Sequence, residues 1–354
     1  MSGEMNRRSF IKGSLLGSVA AAAGASVSKG AVSAKSATAE PNSVKAEATP
    51  KAELPKGKIG NLSVSRVLLG GNLLTHYTHS RDLKYVYGLA KHYNTEEKIL
   101  ETLALAESCG IDTLSIHTVP WSLDILKKHR KRGGKIKWII CPTAEITEGM
   151  NEYAEQVRKL VDDGTDAIYL WGVHADRLCR ERKFNLVAKA VEIVKDYGLL
   201  SGVGGHDLNV VKMCEKNKIS ADFYIKTFHH HNYRTGPRKD ELKKPYNEYP
   251  GYWCKNPKEV IDFMKKVEKP WIAFKVMAAG AIPPKDAFRY VFENGADHIL
   301  AGMFDFEIEE DVRIANEALA KINPSTALPS TSLPSATLGT GRAGGTRRTR
   351  PWRS

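Results

Sequence analysis

Between Ile59 and Ile322 eight short apolar, largely β-branched runs alternate with segments of helical periodicity, and that alternation leaves few folds open. The strand candidates are Arg66–Leu69, Thr113–Ile116, Trp138–Cys141, Ala167–Trp171, Leu200–Val203, Phe223–Thr227, Trp271–Val276 and His298–Ala301. Intervening stripes such as Ile99, Leu103, Ala106 and Val187, Val191, Val194 recur at helical spacing. A strand that returns parallel to its predecessor needs a long crossover, and a helix supplies it. Eight such units in roughly 260 residues predict a single α/β domain, a (β/α)8 TIM barrel. Asn94-Thr95-Glu96-Glu97 reads as a helix start, and Gly110, Gly164, Gly198 and Gly295 read as helix stops.

The two ends differ in composition from this body. Asn6-Arg7-Arg8-Ser9-Phe10-Ile11-Lys12 precedes a weakly apolar Ala/Gly-rich run from Gly13 to Ala25. The paired arginines and following Phe and Lys resemble a twin-arginine export signal, with Val32-Ser33-Ala34 as a candidate cleavage site. Residues 1–34 are therefore expected to be a signal peptide that engages the twin-arginine translocase and delivers the protein outside the cytoplasm. Residues 35–56 are Ala, Glu, Pro, Ser, Thr and Lys with almost no large apolar side chain, and are expected to be a linker. Residues 57–323 hold the barrel, and 324–354 are expected to be a disordered basic tail. No run reaches the roughly 18 apolar residues of a membrane span, so no stable membrane anchor is expected.

The formal charge of +13 looks like a signature of an anionic polymer partner until it is apportioned. Residues 1–34 carry +3 and the tail +5, which leaves +5 for linker and barrel. A surplus so thinly spread does not argue for nucleic-acid binding. The five cysteines show no Cys-x-x-Cys spacing, which argues against a disulfide framework.

Gly57-Lys58-Ile59-Gly60-Asn61-Leu62-Ser63-Val64-Ser65-Arg66, running into Leu68-Leu69-Gly70-Gly71-Asn72, resembles the opening of aldo/keto reductases, where a hairpin caps the barrel floor. Glu96 through Thr113 is similar to that family's first helix and second strand, and Gly198 through His206 to its fifth-strand region. Gly302 followed by Glu309-Glu310 resembles its last strand and closing helix. The resemblance implies hydride transfer from NADP(H) to a small-molecule substrate by an Asp-Tyr-Lys-His group.

The family's residues are mostly replaced. Ser115 stands near the expected Asp, Pro120-Trp121 where the Tyr belongs, and Cys141-Pro142-Thr143-Ala144-Glu145 lacks the Lys. His174 lies near the matching His. The family's Ser-Asn pair for the nicotinamide amide corresponds to Gly204-Gly205, and Lys226 lies near its sixth-strand Gln. Gly302 is not followed by a Ser/Lys/Arg set for a 2′-phosphate.

Imidazoles and carboxylates take their place. Eight of the eleven histidines (His76, His79, His117, His174, His206, His229, His230, His231) fall just after strands, where barrel chemistry is built. Glu145, Asp176, Asp207 and Asp305 occupy similar positions, and Lys275 ends strand seven. Long connections after strands one and six carry Tyr77, Tyr85, Tyr87, Tyr93 and Tyr233, Arg234, Tyr246, Tyr249, Tyr252, Trp253, candidates for stacking on a sugar.

Three readings follow. In the first the chain is a diverged oxidoreductase acting on a small polar or carbohydrate-like substrate, with His174, Lys275, His117 and Asp176 catalytic and Gly204, Gly205, Lys226 and Gly302 against the nucleotide. In the second a divalent metal on His117, Glu145, His174, His206 and His230 assists a hydrolase, lyase or isomerase. In the third the pocket binds a ligand without chemistry.

Overall fold

The computed structural model describes residues 54–80, 83–240, 242 and 254–322. The expected signal peptide, nearly all of the linker, the basic tail, and Tyr246, Tyr249, Tyr252 and Trp253 lie outside the described residues. Strands β3 (Val67–Gly70), β4 (Thr113–His117), β5 (Lys137–Cys141), β6 (Ala167–Leu170), β7 (Leu200–Gly205), β8 (Phe223–Thr227), β9 (Trp271–Phe274) and β10 (His298–Ala301) close into a parallel barrel in chain order. Closure pairs Val67 with Ile299 and Leu69 with Ala301. All eight expected strands are present.

Helices α1 (Tyr85–Tyr93), α2 (Glu96–Ser108), α3 (Pro120–Lys131), α4 (Asn151–Asp162), α5 (Gly172–Arg180), α6 (Phe184–Lys195), α7 (Leu208–Lys216), α8 (Pro257–Met264), α9 (Pro284–Glu293) and α10 (Asp305–Ile322) are the helices among the described residues. None is long and apolar enough to cross a membrane. Their starts follow local chemistry. The Thr95 hydroxyl accepts from the Lys98 amide (3.3 Å), and Asp207 caps α7 by accepting from the Asn209 amide (2.7 Å). Val187, Ala190, Val191 and Val194 of α6 are buried in the layer between helices and sheet, as their spacing predicts.

The hairpin of β1 (Lys56–Ile59) and β2 (Leu62–Ser65) plugs the floor, and Leu54 just before it is buried. Ile59 and Val64 pack with Leu68, Ile139, Ala167, Phe223, Ile225 and Ile272, the strand residues that fill the lumen. The turn needs Gly60: its φ is +56°, and a Cβ there would lie 2.6 Å from Leu200 Cδ2.

Four aspartates, each immediately preceding a strand, organise that floor. Asp166 accepts from the Trp138 amide (2.7 Å), Asp222 from Ser201 (2.8 Å) and Asp297 from Trp271 (2.9 Å). Each returns its own amide to the carbonyl of that same residue, at 3.0, 2.7 and 3.2 Å. Asp112 makes the equivalent pair with Ser65, accepting from its amide (2.8 Å) and donating to its hydroxyl (3.1 Å). Burial raises the Asp112 pKa, but hydrogen bonds from Lys137, Ser65, Thr113 and Lys56 outweigh that and leave it at about 2.

Candidate active site at the barrel mouth

The opposite end of the barrel, where the strands' C-termini meet, gathers the titratable groups. β7 ends at Gly205 and presents His206, while β6 turns at once into α5 and brings Asp176 back towards the same place. His206 Nδ1 lies 2.6 Å from Asp176 Oδ2. The same carboxylate accepts from the backbone amides of His206 (3.1 Å) and Asp207 (3.2 Å). Asp176 is 4% exposed and thus cannot swing away to solvent. Because the carboxylate only accepts, Nδ1 carries the proton and Nε2 keeps its lone pair. Gly172 at the start of α5 makes room, since a Cβ there would approach His206 Cε1 to 3.3 Å.

Three imidazoles and a lysine share this mouth. Burial holds the His206 pKa below its ordinary value, and the Lys275 charge adds to that, while Asp176 opposes both. His79 is driven down to about 3, first by burial and then by Lys275, His206 and His117. His117, at the end of β4, is lowered by burial. All three rings are therefore neutral at pH 7. Tyr77 presents its edge to His79 and His117, with ring centroids at 4.7 and 6.4 Å. Phe274 lies 5.5 Å from the His206 ring and 5.6 Å from the Lys275 ammonium.

Other expected residues go elsewhere. His174 sits on α5, 5% exposed, edge-on to Trp171 at 5.2 Å and 3.4 Å from the Thr143 carbonyl. Glu145 is paired with Arg177 on the exposed rim, and His230 Nε2 lies 3.1 Å from Asp286 on α9. His231 is bound to the Cys254 carbonyl, and His229 is fully buried. Among the described residues no three His, Cys, Asp or Glu side chains are placed to share a metal ion. The metal set His117, Glu145, His174, His206 and His230 is thus not assembled, because helix α5 and the α9 contact carry three of its members apart.

The positions expected to face a nucleotide are occupied by the barrel itself. Lys226 is 1% exposed, and its ammonium donates to the carbonyls of His206 (2.7 Å) and Thr227 (2.6 Å), tying β7 to β8; burial lowers its pKa. A Cβ on Gly204 would come within 3.0 Å of the Gly172 amide nitrogen, and one on Gly205 within 2.9 Å of Val210. Gly302 is roomier, with Leu73 Cγ at 3.3 Å. After it, α10 opens on Asp305 and Glu307, and Asp305 accepts from the Tyr93 hydroxyl (2.7 Å) and Lys98 (3.2 Å).

Sequence reasoning grouped His117, Asp176, His206 and Lys275 among candidates but missed the Asp176–His206 pair and the part of His79. The available signal was that both partners follow adjacent strands. Phe274 had no signal beyond its place at a strand end.

No protein-family model matches the chain, and no curated protein does. Solved structures do. A protein described as a candidate aldo-keto reductase from Pseudomonas aeruginosa is similar with a TM-score of 0.50 at 19% identity, over 75% of this chain and 94% of that one. An aldo-keto reductase from Bacillus halodurans in its holo form gives 0.50 at 12% identity, over 76% and 96%. The closed parallel barrel is a TIM barrel, similar in fold to these aldo-keto reductases.

Proposed function

We propose that the chain is an enzyme for a small polar, carbohydrate-like substrate, in which His206, oriented by Asp176, moves a proton at the barrel mouth. The observation that carries this reading is the 2.6 Å contact between His206 Nδ1 and a buried carboxylate. It fixes the tautomer that leaves Nε2 basic and stabilises the imidazolium formed when Nε2 accepts a proton. Removal of a proton next to a carbonyl sends the C–H electron pair into the adjacent bond and the carbonyl π pair onto oxygen. Return of the proton from Nε2 to the former carbonyl carbon, with the adjacent hydroxyl passing its proton to the enolate oxygen and its O–H pair becoming the new C=O bond, completes an isomerisation with no change in oxidation state overall. Tyr77 and Phe274 supply apolar walls that strengthen the local electrostatics.

A second reading, a diverged oxidoreductase using NADP(H), is favoured by the barrel plan. The residues present do not fit that nucleotide. Gly204 and Gly205 are closed by packing, Lys226 is committed to two carbonyls, and the α10 N-terminus offers carboxylates where a phosphate needs donors. No step is therefore drawn through it.

The test is deuterium exchange into a panel of sugars, hydroxy acids and keto acids in D2O, followed by NMR, with parallel fluorescence titration of NADPH and NADH. Exchange that disappears in His206→Asn, without nucleotide binding, is the expected result. Saturable nucleotide binding with nucleotide-dependent turnover, and no exchange without it, would replace this reading by the oxidoreductase one. We also propose that Asn6 to Lys12 directs export through the twin-arginine translocase, on the strength of that motif alone.

A further inference from the structure

Helix α1 turns an apolar stripe outward. Val86, Tyr87 and Ala90 make its inner face, with Ala90 buried and the Tyr87 ring 6.1 Å from that of Tyr77. Tyr85, Leu89 and Tyr93 recur every four residues, which sets them in one stripe outside that face. They are 59%, 56% and 37% exposed. Phe306, at the start of α10, extends the stripe: it is 68% exposed, and its ring centroid lies 6.0 Å from that of Tyr93. This end is held in place, because Phe304 stacks on Phe306 at 5.4 Å and the Tyr93 hydroxyl donates to Asp305 (2.7 Å).

Gly88 stands exposed beside Leu89, near the middle of the outer face. A glycine inside a helix weakens it relative to alanine. The chain's own packing does not call for one here: the residue sits in regular helix, and a Cβ on it would meet no atom within 4 Å. A gap at that place lets a second backbone come close, since the distance between packed helices is set by the side chains at their crossing.

The exposed parts of the four apolar side chains amount to about 400 Å², taking roughly 200 Å² for each ring. A patch of that extent marks an interaction surface. We propose that it is the interface through which two copies of this chain associate about a two-fold axis. The order Tyr, Leu, Tyr reads alike from both ends, as a self-complementary contact requires. Two α1 helices crossing antiparallel at Gly88 and Leu89 set Tyr85 of one copy beside Tyr93 of the other. The same pairing brings Lys84, exposed at one end of the helix, towards Asp305 and Glu307 at the start of α10, so opposite charges meet at each end. With their flanks, two facing stripes bury about 1,000 Å², the lower bound for a specific interface. The inference concerns the outer rim and does not depend on what His206 does.

The test is sedimentation equilibrium of the full-length protein over roughly 1 to 500 μM. A reversible dimer with a dissociation constant in the micromolar range is expected, weakened about tenfold or more in Leu89→Glu. Phe306→Ser, outside α1, weakens it as well, so the outcome does not hang on one helix keeping its shape. Gly88→Leu tests the close crossing. It adds apolar surface, so a loose hydrophobic association would tighten, whereas a crossing at Gly88 is blocked and the dimer dissociates. Circular dichroism and thermal unfolding check that each variant keeps the fold. A wild-type monomer throughout that range would overturn the proposal, as would a dimer indifferent to Leu89→Glu and Phe306→Ser or tightened by Gly88→Leu. Flotation with vesicles of equal parts phosphatidylserine and phosphatidylcholine covers the other occupant of such a stripe. A monomer that floats in the wild type and not in Leu89→Glu would assign the face to a lipid surface and overturn the dimer.

Discussion

Replacing Asp176 by Asn changes one atom and should invert a tautomer. The asparagine oxygen can still accept from the amides of His206 and Asp207, now 3.1 and 3.2 Å away. Its nitrogen, however, takes the place of the oxygen that lies 2.6 Å from His206 Nδ1, and it donates instead of accepting. His206 must then offer a lone pair at Nδ1 and carry its proton on Nε2, which removes the base. Exchanging a charge-assisted bond for a neutral one costs about 1 to 2 kcal/mol. For a barrel of this size that corresponds to a fall in Tm of roughly 2–8 °C. The rate penalty is larger, on the order of 10⁴-fold, because the wrong nitrogen faces the substrate. Long-range proton–nitrogen correlation of the histidine rings reads the tautomer without any substrate, and thermal unfolding reads the stability. An Asn variant that keeps the proton on Nδ1, or one that exchanges substrate protons at the wild-type rate, would refute the assignment of Asp176 as the positioning residue.

Acid should also weaken the fold through its buried histidines. His298, fully buried under the floor hairpin with Nδ1 3.0 Å from the Ser65 carbonyl, has its pKa pushed down to about 4, chiefly by burial. The unfolded chain protonates this ring near pH 6.5, so between there and about 4 the unfolded state binds the extra proton. Stability falls as pH falls through that window, by about 1.4 kcal/mol per unit from this residue. Urea unfolding of the wild type and His298→Gln at pH 7 and pH 4.5 should show a flatter acid limb in the variant; parallel limbs would rule this out. For export, Arg7→Lys combined with Arg8→Lys should leave the full-length precursor in the cytoplasm of a host with a twin-arginine pathway, read by fractionation. Unchanged export would show that another route is used.

The barrel was legible because β-branched runs bounded by glycines mark its strands, and the misplaced ends have physical causes. The first barrel strand extends to Gly70, which carries no side chain to signal the pattern and cannot have one: a Cβ there would lie 2.7 Å from the Gly302 amide nitrogen. The seventh stops at Phe274 instead of Val276 because Lys275 turns left-handed, a conformation for which a lysine gives no warning. His117 and His206 stand at strand ends, as their sequence positions suggest, and Lys275 follows one. His174 falls instead on α5, which begins two residues earlier, and helical geometry turns its residues by about 100° each. That same geometry is what brings Asp176 round to His206.

The four floor aspartates fasten the barrel and its hairpin together from one end. Asp166, Asp222 and Asp297 each lock a barrel strand to the one after it, β5 to β6, β7 to β8 and β9 to β10, while Asp112 ties the start of β4 to Ser65 at the end of the hairpin strand β2. The vertical offset within those three strand pairs is thereby set at the end remote from the chemistry. Loops at the other rim can lengthen, lose a catalytic side chain or acquire a new one without shifting any strand along its neighbour. A scaffold indexed in this way can keep its shape while its reaction changes.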